Sequence, residues 1–320
     1  MTTLKDVAKA AGLSVSAVSY ALRGAPNIPP ATVERVRRVA EQLGYRPQPR
    51  VAELMAHIRR GRPVAAGERL AFLWMDAPWK KRAFHTLWAG ARERAAELGF
   101  GMEEFWLKES GMTPERLHGI LRARGIRGLV LSPLVGADHF ELPWDWSPFC
   151  AVILGNAAGN PELHRAGHHH FSAMREAVHH FREAGHRRMA ALLPRSVDER
   201  AKRAWSGAFL AHRPLPASAR RWLWVADGVV PKAVARWWRK LSPGALITTQ
   251  TFLPALPPGA RKRPLLVLDW TPSAGGLPGI DQMEASIAAH AVDLVVARLQ
   301  RNEGGVPAVP TQLLLPGRLV

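Results

Sequence analysis

The fold of the N-terminal part is decided by one stretch, Thr3-Leu4-Lys5-Asp6-Val7-Ala8-Lys9-Ala10-Ala11-Gly12-Leu13-Ser14-Val15-Ser16-Ala17-Val18-Ser19-Tyr20-Ala21-Leu22. The apolar residues of its first half recur at helical spacing and share one face: Leu4, Val7, Ala8 and Ala11. This pattern predicts a helix that buries that face. Gly12 ends the helix, since glycine adopts a positive φ at little cost. Ser14 is placed to cap a second helix by accepting from its free backbone N–H groups.

The second predicted helix has two different faces. Val18, Ala21 and Leu22 predict a buried face. The opposite face carries small or hydrogen-bonding side chains: Ser16, Ala17, Ser19, Tyr20 and Arg23. Such a face suits the major groove of DNA, because short side chains permit close approach and polar groups reach the base edges. The stretch therefore predicts a helix-turn-helix, with two amphipathic helices of an ordinary helical domain as the alternative.

The stretch resembles the helix-turn-helix of the lactose-repressor (LacI) family of bacterial transcription regulators. Ala17 stands where family members usually have threonine, and Tyr20 stands where they commonly have Arg or His. The resemblance implies that Ser16, Ala17 and Tyr20 contact base edges. The other DNA-binding residues that it implies are Leu4, Ser14, Val15, Ser19, Arg23, Asn27, Thr32, Tyr45, Arg50 and Leu54.

A third helix begins at Pro29-Pro30, because proline at the first helical position loses no hydrogen bond. Gly44 ends this helix, and the segment from Leu43 to Pro47 resembles a second signature of the family. Thr32 and Tyr45 occupy positions at which the family contacts phosphates. Tyr45 is equally suited to closing the small helical core.

The segment 48–58 resembles the family's hinge helix, which folds when two copies meet on DNA. Leu54 matches the leucine that enters the minor groove, unstacks a base step and bends the duplex. The pair Val51-Ala52 replaces the usual Ala-Arg, and Arg50 is displaced by two positions. The alternative is a linker helix that packs Leu54 and Met55 on its own protein. The following basic segment to residue 69 is predicted to be a linker.

Composition favours a polyanionic partner. The chain has 320 residues and a formal charge of +18; its first 62 residues hold 11 Lys and Arg against 4 Asp and Glu, and the other 258 carry +11. An arginine-rich genome would produce the same excess. Cys150 is the single cysteine, and its apolar neighbours predict a core position. With no signal peptide or apolar run of spanning length, the expected location is cytoplasmic, at the nucleoid, with no membrane partner.

Short apolar runs alternate with helical patterns after residue 69, which predicts open parallel sheets. The predicted strands are Leu70–Met75, Met102–Leu107, Gly128–Pro133, Phe149–Leu154, Met189–Leu193, Leu223–Val225, Ala245–Thr248, Leu265–Leu268 and Val309–Pro316. The predicted helices are Phe84–Leu98, one from Pro114 capped by Thr113, Ser172–Ala184 and Ala285–Gln300. Two successive α/β rounds resemble the family's periplasmic-binding-protein-like, two-lobe domain. The expected organisation is a helix-turn-helix domain in 1–47, a hinge helix and linker in 48–69, and a two-lobe effector and dimerisation domain in 70–320.

Ligands of open sheets bind at the carboxyl ends of strands, in the crevice between lobes. The effector-binding residues expected there are Trp74, Phe171, Arg203, Gln250, Asp269, Trp270 and Gln282. Burial between the lobes is the equal alternative for Trp74 and Trp270. Arg203 lies one residue from the position of the family's ligand-clamping arginine, and His169-His170 replaces a polar pair of the family. The expected effector is a sugar or derivative; a changed effector, or none, is the alternative.

The remaining motifs carry less chemistry. His164 and the run His168–His170 suggest metal ligands, but consecutive side chains point in different directions, so neither a metal nor a cofactor is expected. Trp237-Trp238 predicts a helix face of the second lobe or a dimer contact. No Gly-rich phosphate loop, nucleophile elbow or paired carboxylates are recognised, so an enzyme is not expected.

The expected function is a dimeric, sequence-specific regulator of transcription, a repressor that reads double-stranded operator DNA under control of a carbohydrate effector. One alternative is an architectural DNA-binding protein that ignores ligand. The other is a sugar-binding module with a vestigial DNA-binding unit.

Overall fold

A computed structural model describes residues 4–22, 28–43, 68–76, 85–134, 139–213 and 219–320. The N-terminal unit contains the helices α1 (Leu4–Ala11), α2 (Val15–Leu22) and α3 (Pro30–Gln42). Gly12 has a φ of +64°, and the Ser14 hydroxyl accepts from the backbone N–H of Ala17 at 3.1 Å. The predicted turn and cap are confirmed. A small core joins the three helices through Val7, Val18 and Val36, which are fully buried.

The rest of the described chain forms two α/β lobes. Its first half contains β1 (Arg69–Trp74), α4 (His85–Glu97), β2 (Gly101–Trp106), α5 (Pro114–Ala123), β3 (Gly128–Leu131), β4 (His139–Glu141), β5 (Cys150–Leu154), β6 (Ala158–Asn160), β7 (His164–His168) and α6 (His170–Glu183). The second half contains β8 (Met189–Pro194), α7 (Arg195–Arg200), α8 (Ala204–His212), α9 (Ala219–Trp222), β9 (Leu223–Ala226), α10 (Pro231–Leu241), β10 (Ala245–Thr248), α11 (Pro258–Arg261), β11 (Leu265–Trp270), β12 (Gly279–Asp281), α12 (Glu284–Arg301), β13 (Gln312–Leu315) and β14 (Arg318–Leu319). Two 3₁₀ helices cover Gln250–Ala255 and Pro272–Ala274.

Each lobe is built on a six-stranded sheet. Lobe one has the strand order β13-β7-β5-β3-β1-β2, and all of its neighbouring strands are parallel. Lobe two has the order β14-β12-β11-β10-β8-β9, in which only β14 is antiparallel to its neighbour. The predicted architecture of two α/β lobes with parallel sheets is confirmed. Each sheet is doubly wound, because the first strand in each lobe lies inside the sheet and later strands add on both sides.

The chain crosses between the lobes three times: from β7 to α6, from β12 to α12, and from β13 to β14. Helix α12 therefore returns to lobe one and packs along α4 and β5. The crossings place the carboxyl ends of β7 and β12 at the junction of the lobes. A ligand cleft is expected at this junction.

Several smaller predictions are also settled. Cys150 is buried, and Thr113 caps α5 by accepting from the N–H of Arg116 at 3.2 Å. Trp238 is buried, and Trp237 packs on Trp224 with 5.7 Å between ring centroids, so this pair forms a helix face of lobe two. Within the described ranges, every helix is too short or too polar to cross a membrane.

Strand β7 was not predicted, because its sequence His-Arg-Ala-Gly-His is polar. It is nevertheless buried along its length. Arg165 donates to the carbonyl of Ala157 at 2.9 Å, and the His164 ring accepts from the N–H of Thr311 at 2.9 Å. His164 and Arg165 thus each have a partner within the lobe, which lowers the cost of their burial.

Candidate functional site

The N-terminal unit presents the predicted helix-turn-helix backbone. Helix α2 follows the turn at Gly12 and packs against both α1 and α3. Five expected DNA-binding residues lie in the helices α1 and α2, where only their backbone is described: Leu4, Val15, Ser16, Ser19 and Tyr20. Ala17 and Thr32 are half-buried. The expected residues Arg23, Asn27, Tyr45, Arg50 and Leu54, with the hinge segment, lie outside the described residues.

A cleft of about 300 Å³ lies between the lobes. Its lining follows the carboxyl ends of strands in both sheets, as expected for an open α/β fold. Lobe one contributes Leu87, Pro133, Leu134, Leu154, Gly155, Asn156, Ala157, Gly167, His168, Glu284 and Ile287; lobe two and the crossings contribute His170, Val197, Arg200, Ala201, Trp205, Asp269 and Gln282. The cleft therefore combines apolar walls with a few polar groups, which is typical of small-molecule sites.

Several buried polar atoms of this lining have no hydrogen-bond partner among the described residues. They are both ring nitrogens of His168, Nδ1 of His170 and Nε1 of Trp205. Buried polar atoms are normally paired, because an unmade hydrogen bond costs about 1–3 kcal/mol. Four unpaired atoms on one cleft are therefore suited to a ligand that supplies both donors and acceptors.

The aromatic part of the cleft is a contiguous row. The His170 ring is edge-on to His168 at 4.9 Å and to Trp205 at 5.0 Å between centroids. Burial, with the nearby His169, lowers the pKa of His168 to about 4. Burial, with His168, Arg200 and His169, lowers the pKa of His170 to about 3. Both imidazoles are consequently neutral at physiological pH, and each offers one donor and one acceptor nitrogen.

Two carboxyl groups, those of Asp269 and Glu284, also line the cleft. Burial raises the pKa of Asp269, against the effect of the Gln250 N–H, which donates to Oδ1 at 2.8 Å. Burial and the nearby Asp281 raise the pKa of Glu284 to about 7. The Gln282 amide donates to the carbonyl of Leu268 at 3.0 Å, which fixes that side chain at the cleft. The cleft thus holds acceptors as well as donors.

The structure places Asp269 and Gln282 in the cleft lining and the other five expected effector residues elsewhere. Trp74 is buried inside lobe one, where its Nε1 donates to Glu104 at 2.9 Å and its ring stacks on Trp106. Trp270 donates from Nε1 to the carbonyl of Leu277 at 3.0 Å within lobe two. Trp74 is therefore buried within lobe one, and neither the expected ligand contact nor the alternative of burial between the lobes describes its position.

The positions of Arg203, Phe171 and Gln250 outside the cleft lining also have local causes. Arg203 precedes α8 in a left-handed conformation with φ +58° and a side chain 74% exposed, whereas Arg200 at the end of α7 lines the cleft. Phe171 is exposed and edge-on to His212. Gln250 contacts Asp269 instead of the cleft, because its side-chain amide donates to the Asp269 carbonyl in addition to the backbone N–H bond given above. Successive residues at a helix start face different ways, so a shift of one position moves a side chain out of the cleft.

The histidine run separates into two roles. His169 caps α6, because its Nδ1 accepts from the N–H of Ser172 at 3.1 Å, while His168 and His170 face the cleft. In the part of the chain that the structure describes, His, Cys, Asp and Glu do not come together in groups of three suited to a metal ion. Sequence reasoning missed Arg200, Trp205 and Glu284 as lining residues. Of these three residues, only Glu284 could have been suspected from the sequence, because it lies two residues after the predicted Gln282.

Residues 3–48 match the family of bacterial regulatory proteins described as the lacI family. This N-terminal unit belongs to the LacI family. The match covers the turn at Gly12, the capped helix α2 and the helix α3, so the resemblance on which the sequence interpretation rests is confirmed.

The similarity to other proteins extends beyond the LacI-family unit into the two lobes. The regulator CelR of Thermobifida fusca is 28% identical over 194 residues, which cover 59% of this chain and 55% of CelR. The chain therefore spans about half the length of the curated relatives that it matches. The solved CelR–cellobiose complex has a TM-score of 0.54 at 19% identity and covers 100% of this chain and 98% of its own. The lac repressor dimer bound to operator has a TM-score of 0.53 at 20% identity, with 100% and 97% covered. These likenesses show a shared two-lobe fold behind a LacI-family unit.

Proposed function

We propose that this protein is a sequence-specific DNA-binding regulator of transcription, a repressor, whose DNA affinity responds to a small polyhydroxylated ligand in the cleft. One observation carries the proposal. A LacI-family helix-turn-helix precedes two lobes whose cleft holds unpaired buried atoms of His168, His170 and Trp205. A purely architectural DNA-binding protein has no need of such a cleft.

The DNA-binding part of the proposal is supported by the LacI-family match of residues 3–48 and by the helix-turn-helix backbone. In this proposal Ser16, Ala17 and Tyr20 of α2 contact base edges in the major groove, and phosphate contacts make the affinity depend on salt. Two copies of the chain read a near-palindromic operator, with half-sites about one turn of DNA apart. Leu54 opens the minor groove at the centre. The dimeric lac repressor of similar fold supports the assembly. A cytoplasmic location, at the nucleoid, follows from a DNA partner.

Ligand chemistry follows from the polar atoms in the cleft. Trp205 only donates, neutral His168 and His170 both donate and accept, and the carboxyl of Asp269 accepts. Hydroxyl groups serve both kinds of partner at once, and the apolar face of a sugar ring packs on the aliphatic walls. A carbohydrate is thus the ligand class that this lining fits best, and CelR of similar fold was solved with cellobiose.

Regulation follows from the three crossings between the lobes. A ligand that contacts both His170 and Glu284 binds the closed arrangement more tightly than the open one, so it shifts the population toward closure. In a dimer, closure changes the spacing of the two N-terminal units. The ligand then acts through the hinge segment and without touching DNA.

The DNA proposal is tested by selecting genomic fragments with the full-length protein. We expect an enriched near-palindrome, and Tyr20→Ala reduces binding to it by about 10-fold or more, because a base contact contributes about 1–3 kcal/mol. Gln300→Ala, an uncharged change at an exposed position of α12, is the matched control and leaves affinity unchanged. Fragments enriched without any common sequence would support an architectural DNA-binding protein instead.

The ligand proposal is tested by thermal shift with a panel of mono- and disaccharides and nucleosides. A ligand that binds only the folded state raises the melting temperature. We expect at least one sugar to do so and to change affinity for the enriched duplex. A sugar shift without any DNA binding would favour a sugar-binding module with a vestigial N-terminal unit. No shift across the panel would remove the carbohydrate from the proposal.

A further inference from the structure

Positive charge is distributed unevenly between the two lobes. Residues 170–283, which form most of lobe two, hold 18 Lys and Arg against 7 Asp and Glu, a net charge of +11. The segments 63–169 and 284–320, which form lobe one with the linker end and β14, hold 15 of each and are neutral. A genome-wide preference for arginine acts on both lobes alike and does not explain this difference. Lobe two therefore carries a local basic feature.

That feature lies at the edge of the lobe-two sheet farthest from the cleft. Parallel strands β8 and β9 are neighbours, and each is immediately preceded by two exposed arginines: Arg187 and Arg188 before β8, and Arg220 and Arg221 before the segment that enters β9. Arg188 and Arg221 lie over the ring of Trp222, with their guanidinium carbons 5.6 Å and 5.5 Å from its centroid. The arginines on two neighbouring strands therefore meet at the same edge.

The next two strands continue the pattern. Arg239 and Lys240 end the helix that leads into β10, and Arg261, Lys262 and Arg263 lead into β11. All five are exposed. In sheet order β9, β8, β10 and β11 are adjacent, so the cations form one row that we call the distal basic edge. At about 4.8 Å between strands, the row is about 14 Å long.

The distal basic edge has little charge of opposite sign. Glu183, the last residue of α6, precedes Arg187 by four residues, and none of the nine cations forms an ion pair among the described residues. Other arginines of lobe two do form ion pairs, as Arg195 does with Asp227 and Arg203 does with Glu199. Nine like charges repel one another and favour a polyanion.

We infer that the distal basic edge is a second DNA-binding surface, which holds a duplex by its phosphates independently of α2. Over about 14 Å a duplex carries about eight phosphates, enough to pair with this row. A sheet edge inserts no helix into a groove, so binding is independent of sequence. Among the described residues that precede these four strands, Trp222 is buried, and exposed Val229 and Val230 follow β9 at the opposite edge, so the described part of this row offers no large exposed apolar side chain to a lipid surface. The choice of DNA among polyanions rests on the proposed function, because a chain already bound through α2 meets further duplex at high effective concentration.

The inference is tested with the full-length protein and a random-sequence 30-base-pair duplex, so the outcome does not depend on finding an operator. The test variant combines Arg187→Gln, Arg220→Gln and Lys262→Gln. The matched control combines Arg175→Gln, Lys232→Gln and Arg236→Gln, three exposed cations of lobe two outside the edge. Both variants have the same net charge, and equal melting temperatures show that both are folded.

We expect the slope of log affinity against log salt to fall by about 2 to 3 in the test variant, since each lost phosphate contact contributes about 0.9. The control keeps the wild-type slope. If the triple variant melts early, Lys262→Gln alone, at an exposed position, is expected to lower the slope by about 0.9. Equal slopes in test and control variants would overturn the inference. So would a test variant that loses affinity for vesicles of phosphatidylserine and phosphatidylcholine and keeps its affinity for duplex DNA, since that outcome assigns the edge to a membrane surface.

Discussion

Trp205 is a residue whose packing and hydrogen bonding can be separated by mutation. Its ring is fully buried, and its Nε1 is unpaired at the cleft. Trp205→Phe keeps an aromatic ring and removes the donor. We expect the free energy of unfolding without ligand to change by about 1 kcal/mol or less, because lost contacts are offset by removal of an unpaired donor. Affinity for the sugar with the largest thermal shift falls by about 10-fold, measured by calorimetry.

Trp222→Phe is the matched control for this change. Trp222 is also buried with an unpaired Nε1, but it lies at the distal edge of lobe two. The substitution Trp222→Phe is therefore expected to leave sugar affinity unchanged. Equal sugar affinity in wild type and Trp205→Phe would remove the indole N–H from the ligand site.

Glu284 makes stability depend on pH in a direction opposite to that of most carboxyl groups. Its pKa is about 7, against an ordinary value of 4.5, so the folded state holds the extra proton between these values. The free energy of unfolding contributed by this group therefore falls as the pH rises from about 4.5 to about 7. In Glu284→Gln this loss is absent, so the free energy of unfolding of the variant exceeds that of the wild type by roughly 2–3 kcal/mol at pH 8 and equals it at pH 4.

Denaturant unfolding of both proteins from pH 4 to pH 8 measures this difference. Opposing contributions of His168 and His170, whose pKa values are lowered by burial, are present in both proteins and cancel. Glu93→Gln, at an exposed position of α4, is the control. A Glu284→Gln gain that stays constant with pH would show that this carboxyl has the same pKa in the folded and the unfolded protein.

Whether the sequence predicted a site residue depended on the element that carries the residue. Asp269 lies at the carboxyl end of β11 and Gln282 directly follows β12, so their position in the cleft depends only on the direction of the strand. Arg200 lies in α7 and Trp205 in α8, and the orientation of those helices depends on packing that no local pattern contains. Trp74 illustrates the limit, since the end of β1 was predicted but the direction of its ring was not.

Helices α4 and α12 are joined by a close approach of their backbones at Gly90. A Cβ at Gly90 would lie 2.6 Å from the Cα of Ala285, at the start of α12. Arg94 also donates from Nε to Asp293 at 2.7 Å across the same pair. Gly90→Ala is expected to lower the free energy of unfolding by about 1–3 kcal/mol, because the helices must separate. Denaturant unfolding measures the change.

Gly119→Ala in α5 is the matched control. A Cβ there meets no atom within 4 Å, so alanine is expected to stabilise that helix by about 0.5–1 kcal/mol. The two substitutions are chemically identical and lie in helices of the same lobe. If Gly90→Ala and Gly119→Ala both stabilise the protein, the backbones of α4 and α12 are farther apart at Gly90 than the 2.6 Å distance implies.

At the scale of elements, the strands with continuous apolar runs were predicted, because buried parallel strands need that pattern. Strand β7 was missed because its sequence is polar and the partner of its buried His164, the N–H of Thr311, is distant in sequence. Strands β12 and β14 have only three and two residues, too few for a pattern. The helix-turn-helix was predicted most fully, since its glycine turn and serine cap are local signals.

For the whole molecule, the relation between the lobes is set where the three crossings meet. A Cβ on Gly317 in the third crossing would lie 2.8 Å from the His168 ring of the first and 3.0 Å from the Asp281 carbonyl of the second. His168 lines the cleft, so this packing couples the crossings to the ligand site. Interdependent packing at one point favours a few discrete lobe arrangements over continuous flexing.

Gly317→Ala is therefore expected to alter the switch more than the fold. The added methyl pushes the crossings apart and displaces His168, so the melting temperature falls by a few degrees and sugar affinity falls by about 10-fold. DNA affinity without sugar stays within about twofold, because the LacI-family unit is a separate helical core, while the change in DNA affinity on adding sugar is reduced. Gly244→Ala is the control, since a Cβ there comes no closer than 3.6 Å to any atom beyond its chain neighbours. Thermal melting, calorimetry with sugar and titration of the enriched duplex measure the three quantities. An unchanged response to sugar in Gly317→Ala would mean that the crossings do not carry the signal, and the link between cleft and DNA would have to run through the dimer interface alone.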